Sequence, residues 1–111
     1  MNDREAPIHD IDPATLATWL ENGEVLLVDV RENAEHADAR IKGSRLNPLS
    51  VFNPSAFKPG EGQKLVLYCA AGMRSHQAGE ILIASGHAEA YHLAGGLKEW
   101  VKAGLPIERG S

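Results

Sequence analysis

Two stretches of this chain are apolar almost without interruption, and the periodicity changes around them. Val25-Leu26-Leu27-Val28-Asp29-Val30 and Lys64-Leu65-Val66-Leu67-Tyr68 have no polar face, the pattern of strands buried on both sides in a parallel sheet. Ile8-His9-Asp10-Ile11 and Ala90 to Leu93 read as shorter strands. Helical spacing lies between them. Asp12 is an N-cap with Pro13 at the first helical position, and Ala14 to Glu21 puts Leu16, Trp19 and Leu20 on one face before Asn22-Gly23. Glu32 to Ala39 reads as a short polar helix, and Arg45-Leu46-Asn47 as a brief strand stopped by Pro48. Val51 to Phe57 is expected to add a helical turn before the loop Pro59-Gly60-Glu61-Gly62. Arg74 to Ser85, ended by Gly86, and Leu97 to Ala103 are the last helices. This alternation implies an α/β fold with a mostly parallel sheet. One domain over residues 6–107 is expected, with 1–5 and 108–111 as loose ends.

The junction at Tyr68 is where chemistry concentrates. A strand there passes through Cys69-Ala70-Ala71-Gly72-Met73-Arg74 into a helix beginning Ser75-His76-Gln77. Strand, tight glycine-containing loop and helix together aim a row of backbone N–H groups at one point, a nest that attracts anions and lowers the pKa of a thiol beside it. Cys69 is the only cysteine and stands at the mouth of that nest. A lone cysteine ending a buried strand is commonly an inert apolar filler; the spacing Cys-x-x-Gly-x-Arg-Ser between strand and helix marks this one as a nucleophile. Ala70, Ala71 and Gly72 keep the cradle uncrowded, and Gly72 can supply a positive φ. Arg74 either forks onto the oxygens of a bound oxyanion or braces the loop from below. Ser75 is placed to cap the helix or to donate to the thiolate. In a parallel sheet ligands sit beyond the carboxyl ends of the strands, so Arg31, past the end of the Val25 strand, is expected as a second cation for an anionic donor. Asp29, which can only accept, is expected to order loop N–H groups or Arg74.

Composition narrows the partners. The formal net charge of −4 argues against nucleic acid or an anionic membrane surface. No apolar stretch reaches the length of a membrane span, and Met1-Asn2-Asp3-Arg4-Glu5 lacks a secretory signal's apolar core. A single cysteine forms no internal disulfide, which suits a reducing, cytoplasmic setting. The five histidines show no metal-ligand spacing, so no metal and no cofactor are expected.

Three segments in order carry a family resemblance. The loop CAAGMRS at 69–75, the strand Leu26 to Val30 ending in Asp-Val-Arg, and Leu93-Ala94-Gly95-Gly96-Leu97-Lys98-Glu99-Trp100 with Gly104-Leu105-Pro106 together resemble the single-domain rhodaneses, a sulfurtransferase family. The resemblance runs from about Ile8 to Pro106. It implies a small, mostly parallel sheet with helices on both faces, and a thiosulfate sulfurtransferase working through a persulfide on Cys69. Ala70, Ala71, Gly72, Met73, Arg74 and Ser75, with Arg31, are then donor-binding. The implied partners are a thiosulfate-like anion and a thiol or cyanide acceptor. Two departures stand out. The family's His-Ile-Pro-Gly-Ala stretch is here Arg40-Ile41-Lys42-Gly43-Ser44, and the loop carries no second basic residue. Fewer charges weaken the hold on an anionic donor, which favours a second reading, a sulfur-relay module loaded by a partner protein such as a cysteine desulfurase. Phosphatase and arsenate-reductase loops are Cys-x5-Arg, one residue longer than the Cys-x4-Arg here. The shorter ring suits a sulfur atom on the cysteine rather than a tetrahedral phosphate.

Overall fold

A computed structural model describes residues 7–110. Five strands form a parallel sheet in the order β1-β6-β5-β2-β4: β1 (Ile8–Ile11), β2 (Val25–Asp29), β4 (Arg45–Leu46), β5 (Lys64–Tyr68) and β6 (Ala90–Leu93). β2 and β5 are central and pair in register from Val25↔Lys64 to Asp29↔Tyr68. Their apolar runs belong there because both faces are covered.

Alternation along the strands divides the core into two. On one face, Leu27, Val66, Tyr68 and Leu93 pack with Leu16 of α1 (Pro13–Glu21) and with Leu97 and Trp100 of α4 (Gly96–Lys102). On the other, Val28, Leu65, Leu67 and Cys69 pack with Ala78 and Leu82 of α3 (Met73–Ala84). Local signals set the helix ends. The Asp12 carboxylate accepts the Thr15 N–H at 2.8 Å, and Trp100 Nε1 closes the last helix by donating to the Pro106 carbonyl at 2.8 Å.

Three expectations change. The helical turn lies at Leu49–Val51, not from Val51 to Phe57. There Asn47 and Asn53 exchange hydrogen bonds (Asn53 N–H to Oδ1, 3.1 Å; Nδ2 to the Asn53 carbonyl, 2.8 Å), and Pro54 disfavours a helical residue before it. Residues 108–110 are not loose: β7 (Glu108–Arg109) pairs antiparallel with β3 (Ala39–Arg40), and Arg40 Nη1 donates to the Gly110 carbonyl at 2.9 Å. Residues 1–5, 6 and 111 lie outside the described residues. The polar helix is shortened to α2 (Asn33–Asp38), because Ala39 already belongs to β3.

The Arg40–Ser44 stretch is held by Tyr68. Its buried hydroxyl accepts the Ile41 N–H at 3.1 Å and lies 2.9 Å from Ser44 Oγ. Tyr68→Phe should leave the Ile41 amide unpaired in the core and cost about 1–3 kcal/mol, seen as a lower urea midpoint at unchanged m-value.

Candidate active site at the Cys69 loop

Cys69 is the first residue past β5, with 1% of its surface exposed. The chain then doubles back so that the start of α3 faces its sulfur. The Gly72 N–H donates to Sγ at 3.1 Å and the Ser75 N–H at 3.3 Å, with Ser75 Oγ 3.6 Å away. Gly72 stands at the helix N-cap with φ +107°, and a Cβ on it would come within 3.3 Å of the Gly95 backbone nitrogen. Only glycine meets both demands at low cost. Amides that point inward leave carbonyls to be paired elsewhere. Those of Cys69 and Ala70 accept from Leu97 N–H (2.8 Å) and Lys98 N–H (3.0 Å) in the first turn of α4. Gly96, at φ +65°, makes that approach possible: a Cβ there would sit 2.5 Å from the Cys69 carbonyl oxygen and 2.6 Å from that of Ala70.

Burial pushes the Cys69 thiol up. The Ser75 hydroxyl, then the N–H groups of Ser75, Gly72 and Ala71, more than offset it and leave the thiol below its ordinary value. Cys69 is therefore an enclosed thiol whose surroundings favour the thiolate.

The two arginines are engaged within the protein. Arg74 points to α2, where Nη1 and Nη2 donate to the two Glu35 oxygens at 2.8 and 3.0 Å. Of its two expected roles, this geometry is the bracing one. Arg31 is 4% exposed. Its Nε and Nη2 grip the buried Asp29 carboxylate at 2.9 and 2.7 Å, and Nη2 also donates to the Ala39 carbonyl. The guanidinium expected for an anionic donor is thus turned inward. Asp29 in turn serves neither the loop amides nor Arg74: it accepts from the Arg31 backbone and side chain and lies 2.9 Å from His36 Nδ1.

Elsewhere in the loop, Ala70 is half-buried, while Ala71 and Met73 are exposed, with Met73 reaching into solvent at 79% exposure. Ser75 is not the cap. Its buried hydroxyl lies 2.8 Å from His92 Nδ1 and 3.2 Å from the Gly72 carbonyl, and His92 Nε2 lies 2.7 Å from Asp10 Oδ1. Glu35, His92 and Asp10 are the neighbours that sequence reasoning passed over. A faint signal exists for two of them. Glu32-x-x-Glu35 opens a polar helix in capping-box spacing, and His92 interrupts the otherwise apolar strand Ala90–Leu93.

Comparisons with known proteins give the chain a family and a fold. The family model for the rhodanese-like domain matches residues 12–103. A sulfurtransferase of Allochromatium vinosum is 34% identical over 101 residues, which cover 90% of this chain and 94% of that protein. An uncharacterised protein of Synechocystis sp. is 42% identical over 96 residues, covering 86% of this chain but 54% of that one. The chain therefore spans about half of the latter relative. Among solved structures, the thiosulfate sulfurtransferase of Pseudomonas aeruginosa superposes with a TM-score of 0.80 at 30% identity, covering 96% of this chain and 20% of that one. The chain belongs to the rhodanese-like domain family, and sulfur transfer is the class of chemistry that its relatives support.

The Glu35–Arg74 pair makes stability depend on pH. The Arg74 guanidinium holds the Glu35 carboxyl at about 2, below its ordinary 4.5. A carboxyl depressed in the folded state stabilises above its unfolded value, and that contribution is lost as pH falls from about 4.5 toward 2. Both side chains are about a third exposed, so screening leaves about 1 kcal/mol. Thermal melts should show Glu35→Gln less stable than the parent by about 4 °C at neutral pH, the gap closing in that acid window. Gly96→Ala should displace the loop from α4, slowing alkylation of Cys69 by iodoacetamide more than about tenfold at neutral pH.

Proposed function

We propose that the chain moves a sulfane sulfur from a donor such as thiosulfate to a thiophilic acceptor, through a persulfide on Cys69. The observation that carries this reading is the enclosed Cys69 sulfur with two backbone N–H donors and the Ser75 hydroxyl around it. Cys69 thiolate attacks the outer sulfur of the donor. A new S–S bond forms as the old one breaks, and sulfite leaves with its electron pair. The outer sulfur of the persulfide carries the charge, and the amides from Ala70 to Ser75 are its cradle. An acceptor nucleophile, cyanide or a thiolate, then attacks that outer sulfur. The bond to Cys69 breaks and the cysteine departs as thiolate. With no second cysteine in the chain, an external acceptor must discharge it. A free thiolate also accords with a reducing, cytoplasmic setting.

A second reading has its own observation. Arg31 and Arg74 both turn their forks to carboxylates of the protein, so neither guanidinium is committed to a small anion at the loop. A protein donor that docks by its own surface has less need of a guanidinium, which favours a relay module loaded by a partner such as a cysteine desulfurase.

Intact mass separates the two. Thiosulfate should add one sulfur atom to the parent protein, cyanide should remove it as thiocyanate, and Cys69→Ser should gain nothing and lose transfer by at least about 1000-fold. No adduct from thiosulfate, with rapid loading from a desulfurase persulfide, would establish the relay instead. Full transfer activity in Cys69→Ser would end both readings.

A further inference from the structure

We propose that Ser75, His92 and Asp10 form a proton relay that draws the Cys69 thiol proton out of the loop and holds it on His92. The relay rests on the reading of Cys69 as a working thiolate and says how that thiolate is made. Its members are contributed by different elements. Ser75 lies in the first turn of α3, 0% exposed, with Oγ 3.6 Å from Cys69 Sγ and 2.8 Å from His92 Nδ1. His92 is on β6, 6% exposed, and its Nε2 lies 2.7 Å from Asp10 Oδ1 on β1. Asp10 and His92 are register partners in the parallel pair β1–β6, so the sheet sets their spacing. The Asp10 side chain is 70% exposed. The chain of groups thus runs from an enclosed sulfur to open solvent.

Donor and acceptor roles follow from the outer end. A carboxylate only accepts, so Nε2 of His92 carries its hydrogen toward Asp10 and neutral Nδ1 is left as an acceptor. Ser75 then donates its hydroxyl hydrogen to Nδ1, the shortest of its three polar contacts, and its oxygen lone pair is free for the thiol S–H. In the transfer the S–H bond breaks with its electron pair left on sulfur. Ser75 Oγ gains that proton as its own passes to Nδ1. No electrons leave the site. The products are a thiolate, now receiving the Ser75 O–H as well as the Gly72 and Ser75 N–H groups, and an imidazolium hydrogen-bonded at both nitrogens.

A buried imidazole needs hydrogen-bond partners whatever its role; what distinguishes His92 is that one of its partners, Ser75, leads on to the Cys69 sulfur. Among the described residues the titratable groups facing it are few. β1 contributes Asp10, and the loop that follows β5 contributes Cys69 through Ser75. α3 contributes His76, whose ring centroid is 5.6 Å away at a 74° tilt and whose Nδ1 lies 3.9 Å from Glu80. A positive charge on His76 would oppose the imidazolium across that distance. His92 and Asp10 act through Ser75 and are positioning residues.

The test is the pH dependence of Cys69 alkylation by iodoacetamide, followed by intact mass, which needs no sulfur donor. His92→Asn keeps an acceptor for Ser75 but holds no proton. Its midpoint should rise by about one pH unit, so that alkylation near pH 6.5 slows about tenfold, with the alkaline plateau unchanged. Asp10→Asn should move the midpoint the same way by a smaller amount, slowing alkylation about two- to threefold at that pH. A midpoint equal to the parent's in His92→Asn, with a lower rate at every pH, would reduce His92 to packing and overturn the relay. Should His92→Asn fail to fold, Asp10→Asn decides, and an unmoved midpoint there overturns it equally. If the midpoints shift while thiosulfate and desulfurase both fail to load the parent, the relay stands and the persulfide reading falls.

Discussion

Inward-facing amides in the Cys69 loop leave outward carbonyls, and that one constraint organises the carboxyl edge of the sheet. A buried carbonyl without a partner costs about 1–3 kcal/mol, so the loop is tenable only where another element donates to its back. The first turn of α4 does so at Cys69 and Ala70. The pair Gly95-Gly96 brings that turn close, and the positive φ of Gly72 lets the chain leave β5 and enter α3 four residues after the cysteine. The loop and α4 are thus coupled through backbone hydrogen bonds that no side chain of the loop makes. This explains why its side chains are free to be small.

Charge in the same region serves architecture first. Asp29 is fully buried at the end of β2 and carries Arg31 and His36 as partners, while Arg31 reaches on to the Ala39 carbonyl where β3 begins. Removing one member of such a group strands the other without water. The Glu35–Arg74 pair is about a third exposed and correspondingly weaker, yet it spans α2 and α3 and steadies the first turn over the sulfur. With both guanidinium groups so engaged, the sulfur is surrounded by dipoles rather than net charge. Dipoles of this kind favour negative charge at the sulfur itself.

Much of this was legible in the chain because it depends on neighbours in sequence. The strands β2 and β5 announce themselves as apolar runs, α1 by Asp12-Pro13, and the nest by a glycine and a helix start soon after the cysteine. The two-residue strands β3 and β7 were not legible. Alternation has no room to show in two residues, and their pairing joins positions about 70 apart, Arg40 with Glu108 and Ala39 with Arg109. The turn at Leu49–Val51 was misplaced for a related reason: Asn47 and Asn53 close a local circuit of side-chain bonds that competes with a helix.

What the sequence by itself determined is the succession of strands and helices and the exposure of one cysteine to a helix N-terminus, since propensity, capping and periodicity act over a few residues. Which partner each charged group takes was decided by tertiary structure alone. Arg31 meets Asp29 rather than a ligand because the end of β2 folds that side chain inward, and Arg74 meets Glu35 because α2 packs across from α3. Ser75 meets His92, and His92 meets Asp10, because β5, β6 and β1 lie side by side in an order unlike their order in the chain. A hydrogen bond depends on ångströms and angles between groups up to 82 residues apart. Only the packed sheet supplies those.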